Sequence, residues 1–149
     1  MSPAFENGQP IPFFFSCQGK GISPQISWSD IPKEAKSLVL ICEDPDAPGG
    51  TWIHWVAYNI PPQMLGFSSN VPPRPQLDDG TRQGKNSWGK IGYGAPCPPS
   101  GPAHRYYFKV YALDTTLSLA PGAAKDQVVQ AMKGHILAEG SLMGTYQRR

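Results

Sequence analysis

The chain has 149 residues, 40% of them hydrophobic and only 16% charged, with a formal net charge of +2. That length suits a single domain burying roughly two-thirds of its unfolded surface, and so weak and scattered a positive charge excludes a nucleic-acid surface as the main partner site. The 17 prolines and 16 glycines imply many short elements joined by stiff turns, which favours a β-rich architecture.

No period repeats along the sequence and no low-complexity tract divides it, so one domain over residues 1–149 is expected. Taken in chain order, "FFFSCQG" (13–19) and "QISWSDI" (25–31) read as short strands separated by a turn at Gly21 and Pro24. "SLVLICE" (37–43) is an unbroken apolar run of the kind that forms a central strand buried on both faces. A second strong strand runs from Trp52 to Ile60; simple alternation puts Trp52, His54, Val56 and Tyr58 on one face and Ile53, Trp55, Ala57 and Asn59 on the other. From Pro61 to Gly101 the chain is rich in Pro, Gly, Ser, Asn and Asp without periodicity, and long segments of this kind inside a compact domain are usually functional.

Alternation returns at "HRYYFKVYALD" (104–114), where His104, Tyr106, Phe108, Val110 and Ala112 form the core face. "AKDQVVQAMKG" (124–134) spaces Val128, Val129 and Met132 as in a helix that stops at Gly134. The tail "HILAEGSLMGTYQ" (135–147) matches neither the helix nor the strand period.

Cys17, Cys42 and Cys97 are odd in number and lack C-x-x-C spacing, so neither a disulfide framework nor a zinc site is signalled and a reducing compartment is expected. The opening "MSPAFENGQPIP" has no signal-peptide pattern, and no uncharged apolar run reaches the roughly 18 residues of a membrane span. A soluble, cytoplasmic protein with no transmembrane segment is the expectation.

Three constellations carry chemistry. In "DPDAP" the prolines fix a turn holding Asp44 and Asp46 close before His54; the carboxylates either brace their own loop or orient an imidazole and raise its pKa. "GYGAPCPPSGPAHRY" (92–106) runs a Gly/Pro loop into His104, an arrangement suited either to small phosphate-like or carboxylate anions or to a rigid strand connection. Cys97 and Ser100 share that loop with His104, but no nucleophile elbow surrounds them, so hydrolysis is the weaker reading and an enzyme is not expected. Mixed Asp/His metal binding lacks any tight ligand spacing, and no cofactor is expected. His135 follows the helix end, a structural position where a charged imidazole complements the dipole. Trp28, Trp52, Trp55 and Trp88 read as core, with Trp88 alone placed to line a pocket from the long loop.

The stretches "ISPQISWSDIPKEAKSLVLICEDPDAP", "HWVAYNIP", "GYGAPCPPSGPAHRYYFKVYALD" and "AMKGHILAEGSLMGTYQR" together resemble the phosphatidylethanolamine-binding protein family, which includes the Raf kinase inhibitor protein, and most of all its short bacterial and archaeal branch. The resemblance implies a mainly β (α+β) fold, a large antiparallel sheet packed on a smaller one with one or two short helices near the C-terminus, and makes the 135–147 tail a strand. It implies a pocket for small anions, phosphate or phosphorylethanolamine-like, lined by Asp44, Asp46, His54, Gly94, Pro96, His104 and Tyr106. Ala95 stands where relatives commonly have glycine, which makes backbone approach to an anion less close. The resemblance further implies a binding and regulatory role without catalysis and a homodimer as a natural assembly. A second reading has the chain inhibit a serine protease or kinase partner through a proline-stiffened loop such as residues 71–89.

Overall fold

The computed structural model of the chain describes residues 1–149. Five strands form one antiparallel sheet in the order β5 (Arg82–Gln83), β3 (Trp52–Ile60), β2 (Ser37–Asp44), β6 (His104–Leu113) and β7 (Ile136–Tyr146), while β1 (Ile26–Ser27) and β4 (Gly66–Phe67) pair as a small second sheet. A single helix, α1 (Lys125–Met132), precedes β7.

All eight positions of β2 are buried, and its apolar stretch Leu38–Cys42 is covered on both sides because the large sheet has a core on each face. Leu38, Leu40 and Cys42 join Trp55, Tyr106 and Phe108 in the larger core, which the small sheet closes with Ile26 and Phe67. Val39 and Ile41 point the other way, to Val56, Tyr58 and the helix residues Val128 and Met132. At about 1.5–3 kcal/mol per fully buried large aliphatic side chain, this two-sided burial makes β2 the centre of the fold.

The tail is a strand, as the family resemblance implies. It pairs with β6 from His104↔Tyr146 to Leu113↔Ile136, and Gly144 fits because Ile11 and Phe5, which a Cβ there would strike, fill the space. The N-terminal segment covers the outer edge near the strand's end, where the Gly8 and Ile11 amides donate to Met143 and Thr145. Covering an edge in this way blocks pairing with other chains there.

Three expectations are corrected. Residues 13–19 are not a strand: Phe13–Phe15 form a 3-10 turn closed by the Ser16 amide and hydroxyl, both donating to the Phe13 carbonyl. Only Ile26–Ser27 of the 25–31 stretch is paired, since Asp30 turns the chain with a φ of 59°. The cysteines are not all free. Cys17 and Cys97 are disulfide-bonded across 80 residues, leaving Cys42 as the buried free thiol. The pair forms because the turn after Phe15 packs on the 93–98 loop, a meeting that sequence spacing does not reveal. Closing so long a loop restricts the unfolded chain by at most about 4–5 kcal/mol in the entropy model.

Candidate functional site

Antiparallel pairing brings the end of β2 beside the starts of β3 and β6, which places Asp44, Trp52 and His104 at one end of the large sheet. There a cleft of about 600 Å³ is lined by Asp44, His54, Trp88, Pro98, His104 and Tyr106, among others.

His104 opens β6 and Asp44 closes β2. The His104 Nδ1–H donates to Asp44 Oδ2 at 2.7 Å, with both side chains buried. The other carboxylate oxygen of Asp44 accepts the Asp46 amide at 2.8 Å. The carboxylate is thereby occupied as an orienting group, and Nε2 is the ring nitrogen of His104 left for a ligand.

His54 reaches the cleft by a bulge. The β2–β3 register slips between Cys42↔Trp55 and Glu43↔Ile53, so His54 has no cross-strand partner. Bulges re-aim side chains. Its ring lies 5.1 Å from that of Tyr106, on the cleft side of the sheet and not beside Val56 and Tyr58 as strict alternation predicts. Nδ1–H donates to the Gly94 carbonyl at 2.7 Å, which again leaves Nε2. Burial pushes the imidazole pKa down, and the Gly94 carbonyl and Asp44 offset this only in part. At neutral pH the ring is neutral and its free nitrogen accepts.

The Tyr106 ring packs against both imidazoles, 5.1 Å from the His54 ring and 6.5 Å from the His104 ring. The residue is 0% exposed and its hydroxyl has no hydrogen-bond partner. Burial, and then the charge of Asp44, push the phenol well above its ordinary pKa. It keeps its proton, and the neighbouring Asp44 carboxylate does not meet it in hydrogen-bonding geometry, so the buried donor is left without a well-placed acceptor, a costly state.

Other expected site residues are placed differently. Asp46 does not line the cleft. It accepts from Arg105 Nε at 2.9 Å, Nη2 at 2.8 Å and the Arg105 amide at 2.9 Å, and this pairing holds its carboxyl down at about 2. Gly94 offers nothing to a ligand: its amide donates to the His54 carbonyl and its carbonyl holds the His54 ring. The glycine is required because a Cβ would collide with the Trp88 indole. The Pro96 carbonyl accepts the Cys17 amide at 3.0 Å, and Pro98 and Pro99 form the wall instead. Ala95 is absent from the lining. Cys97, in its disulfide, has no free thiol, and Ser100 is exposed without a hydrogen bond to His104. His135 pairs with Asp114 at 2.7 Å, both exposed. In the 71–89 loop, buried Gln83 donates to the carbonyls of Pro72 and Arg74 at 2.7 and 2.9 Å. The Arg74 carbonyl therefore faces inward.

Sequence reasoning left Trp52 out of the site and staked nothing on Trp88. The two rings meet edge to face at 5.5 Å, and Trp88 also meets His54 at 5.1 Å. A tryptophan in a Pro/Gly loop, six residues before a glycine, was the available signal.

A two-sheet β protein with a histidine-lined cleft at one end of the larger sheet is the class these features define. A family model described as phosphatidylethanolamine-binding protein matches residues 1–147, and the chain belongs to that family. It is 54% identical over 145 residues to a UPF0098 protein of Methanothermobacter thermautotrophicus, covering 97% of this chain and 95% of the relative. It is 52% identical over 152 residues to a UPF0098 protein of Chlamydia trachomatis, covering 99% and 97%. Among crystal structures, a putative phosphatidylethanolamine-binding protein homolog from Chlamydia trachomatis matches with a TM-score of 0.91 at 50% identity, over 100% of this chain and 96% of that one. Escherichia coli YbcL, described as a member of the mammalian family, matches with a TM-score of 0.92 at 30% identity, over 100% and 97%.

Proposed function

We propose that the cleft binds a small anion, a phosphate or the phosphate of a phosphorylethanolamine-like headgroup, and that the protein acts as a binding and regulatory protein. The observation that carries this reading is the buried, unpartnered hydroxyl of Tyr106, whose ring packs against two imidazoles whose Nδ1 atoms are already engaged. Tyr106 donates to an anion oxygen, as does the His104 ring when protonated, while His54 gains its second proton as the anion binds. Asp44 would repel an anion if bare; its hydrogen bonds to His104 and the Asp46 amide turn it into a positioning group. The volume of about 600 Å³ lies within the roughly 300–1,000 Å³ range of small-molecule sites, so a headgroup fits better than bare phosphate. Trp52 and Trp88, both partly exposed beside the site, offer ring faces to an attached ammonium. The family's description as phosphatidylethanolamine-binding supports the same ligand class.

Calorimetric titration of O-phosphorylethanolamine into wild type and His104→Ala tests the reading. Saturable binding by wild type that weakens at least tenfold in the variant supports it; equal binding by both, or none by either, removes it.

A further inference from the structure

The Cys17–Cys97 disulfide stands where the cleft wall joins the rest of the molecule. Both cysteines are exposed, and Cys97 lines the cleft beside Pro98 and Pro99. The wall itself, residues 95–103, belongs to no strand or helix. No amide in it donates a hydrogen bond within the protein; apart from the disulfide it is tied through three carbonyls. Pro96 accepts from the Cys17 amide at 3.0 Å. Pro98 accepts from Arg148 Nε and Gly101 from Gln147 Nε2, each at 2.8 Å. Two of these ties come from side chains of the C-terminal tail, so beyond the packing of the buried Pro96 and Pro98 the disulfide is the wall's one covalent anchor. Gly94, whose carbonyl holds the His54 ring, immediately precedes the wall.

The disulfide is also polarised. Arg148 Nη2 lies 3.2 Å from Cys97 Sγ and 3.9 Å from Cys17 Sγ. A guanidinium stabilises the nearer sulfur as a thiolate, and the sulfur that makes the better thiolate is the better leaving group in thiol–disulfide exchange.

We propose that this disulfide is a redox-addressable latch on the cleft, opened by a dithiol reductant, so that ligand affinity follows the redox state of Cys17 and Cys97. A reductant thiolate attacks Cys17 Sγ; the S–S bond breaks and its electron pair leaves on Cys97, held as a thiolate beside Arg148. The reductant's second thiolate then attacks its own sulfur in the mixed disulfide, forming the cyclic disulfide and releasing Cys17. The reductant loses two electrons, and the protein gains two thiols after protonation. With the bond open the wall loosens, and the Gly94 contact that aims His54 loosens with it. The effect on affinity rests on the anion-binding reading of the cleft; the opening of the wall does not.

Amide exchange followed by NMR, in oxidised protein, in dithiothreitol-reduced protein and in the Cys17→Ser/Cys97→Ser variant, tests the latch. The amides of residue 17 and Gly94, whose hydrogen bonds cross this junction, should exchange at least tenfold faster in the reduced protein and the variant. Amides in the middle of β2 and β6 should stay protected, phosphate affinity should fall about tenfold, and reoxidation should restore both in wild type. Unchanged exchange at residue 17 and Gly94, loss of protection throughout β2 and β6, or equal phosphate affinity in both redox states overturns the proposal. Faster exchange with phosphate bound in neither state removes the anion reading and leaves the opening of the wall standing. Alkylation quenching after brief exposure to glutathione should find the mixed disulfide on Cys17, and Arg148→Gln should slow its formation; a mixed disulfide on Cys97 overturns the assigned polarity.

Discussion

The imidazole of His104 and the carboxylate of Asp44 meet at 2.7 Å between adjacent strands, both buried at the end of the sheet. The contact exists because β2 and β6 are neighbours whose antiparallel run brings the last residue of one beside the first residue of the other. Asp44→Ala leaves the His104 N–H and the Asp46 amide without their acceptor. It should cost about 2–4 kcal/mol of stability by denaturant unfolding and weaken phosphate binding about tenfold.

Asp46 makes the contrasting case. Its carboxylate is committed to Arg105 outside the cleft, so Asp46→Asn should change phosphate affinity less than twofold in the same titration. Its stability effect should be pH-dependent. The folded carboxyl titrates at about 2, below its unfolded value of 3.8, so the stabilisation it gives is present above that unfolded value and is lost as pH falls from about 4 towards 2. Acid unfolding of the variant should lack that component.

Tyr106→Phe should separate binding from stability. Removing a buried hydroxyl that has no partner should leave stability unchanged or raise it by about 1 kcal/mol, while phosphate affinity falls roughly five- to tenfold. A variant that loses stability would show that the hydroxyl is satisfied within the protein.

The sheet was largely readable from sequence, and the reasons are physical. The run 38–42 lacks polar residues because β2 is covered on both faces there, and β6 alternates over its first half because its outward side chains, Arg105 and Lys109 among them, reach solvent. His54 could be named but not oriented, since a one-residue bulge inverts the face that alternation assigns. The two aspartates of D-P-D look alike in sequence; only the neighbouring strand decides that Asp44 turns to His104 and Asp46 to Arg105. Gly94 was legible as a glycine with a purpose, but the purpose is room for Trp88. The disulfide was invisible because its halves lie 80 residues apart.

Gly94→Ala forces the Trp88 ring away from the wall, so tryptophan fluorescence should change, stability should fall by about 1–3 kcal/mol, and phosphate binding should weaken as His54 loses its fixed acceptor.

His54 predicts opposite pH slopes for stability and binding. Burial lowers its folded pKa below 6.5, so the unfolded chain takes up the proton more readily. Its contribution to stability is therefore complete above about 6.5 and lost as pH falls through the lower folded value. Anion binding favours the protonated ring, so affinity for sulfate, whose charge is constant over this range, should rise from pH 8 to 5.5. His54→Gln should flatten the stability dependence and reduce the slope of binding, leaving the part that protonation of His104 supplies.

If His54, His104 and Tyr106 together form one anion site, NMR of the imidazole side chains during a phosphate titration reads it at each ring. The Nε2 and ring-proton signals of His54 and His104 should shift together along one saturating curve, while those of His135, paired with Asp114 elsewhere on the surface, do not follow it. Signals of His54 and His104 that stay unmoved, or that drift without saturation as those of His135 do, would contradict it.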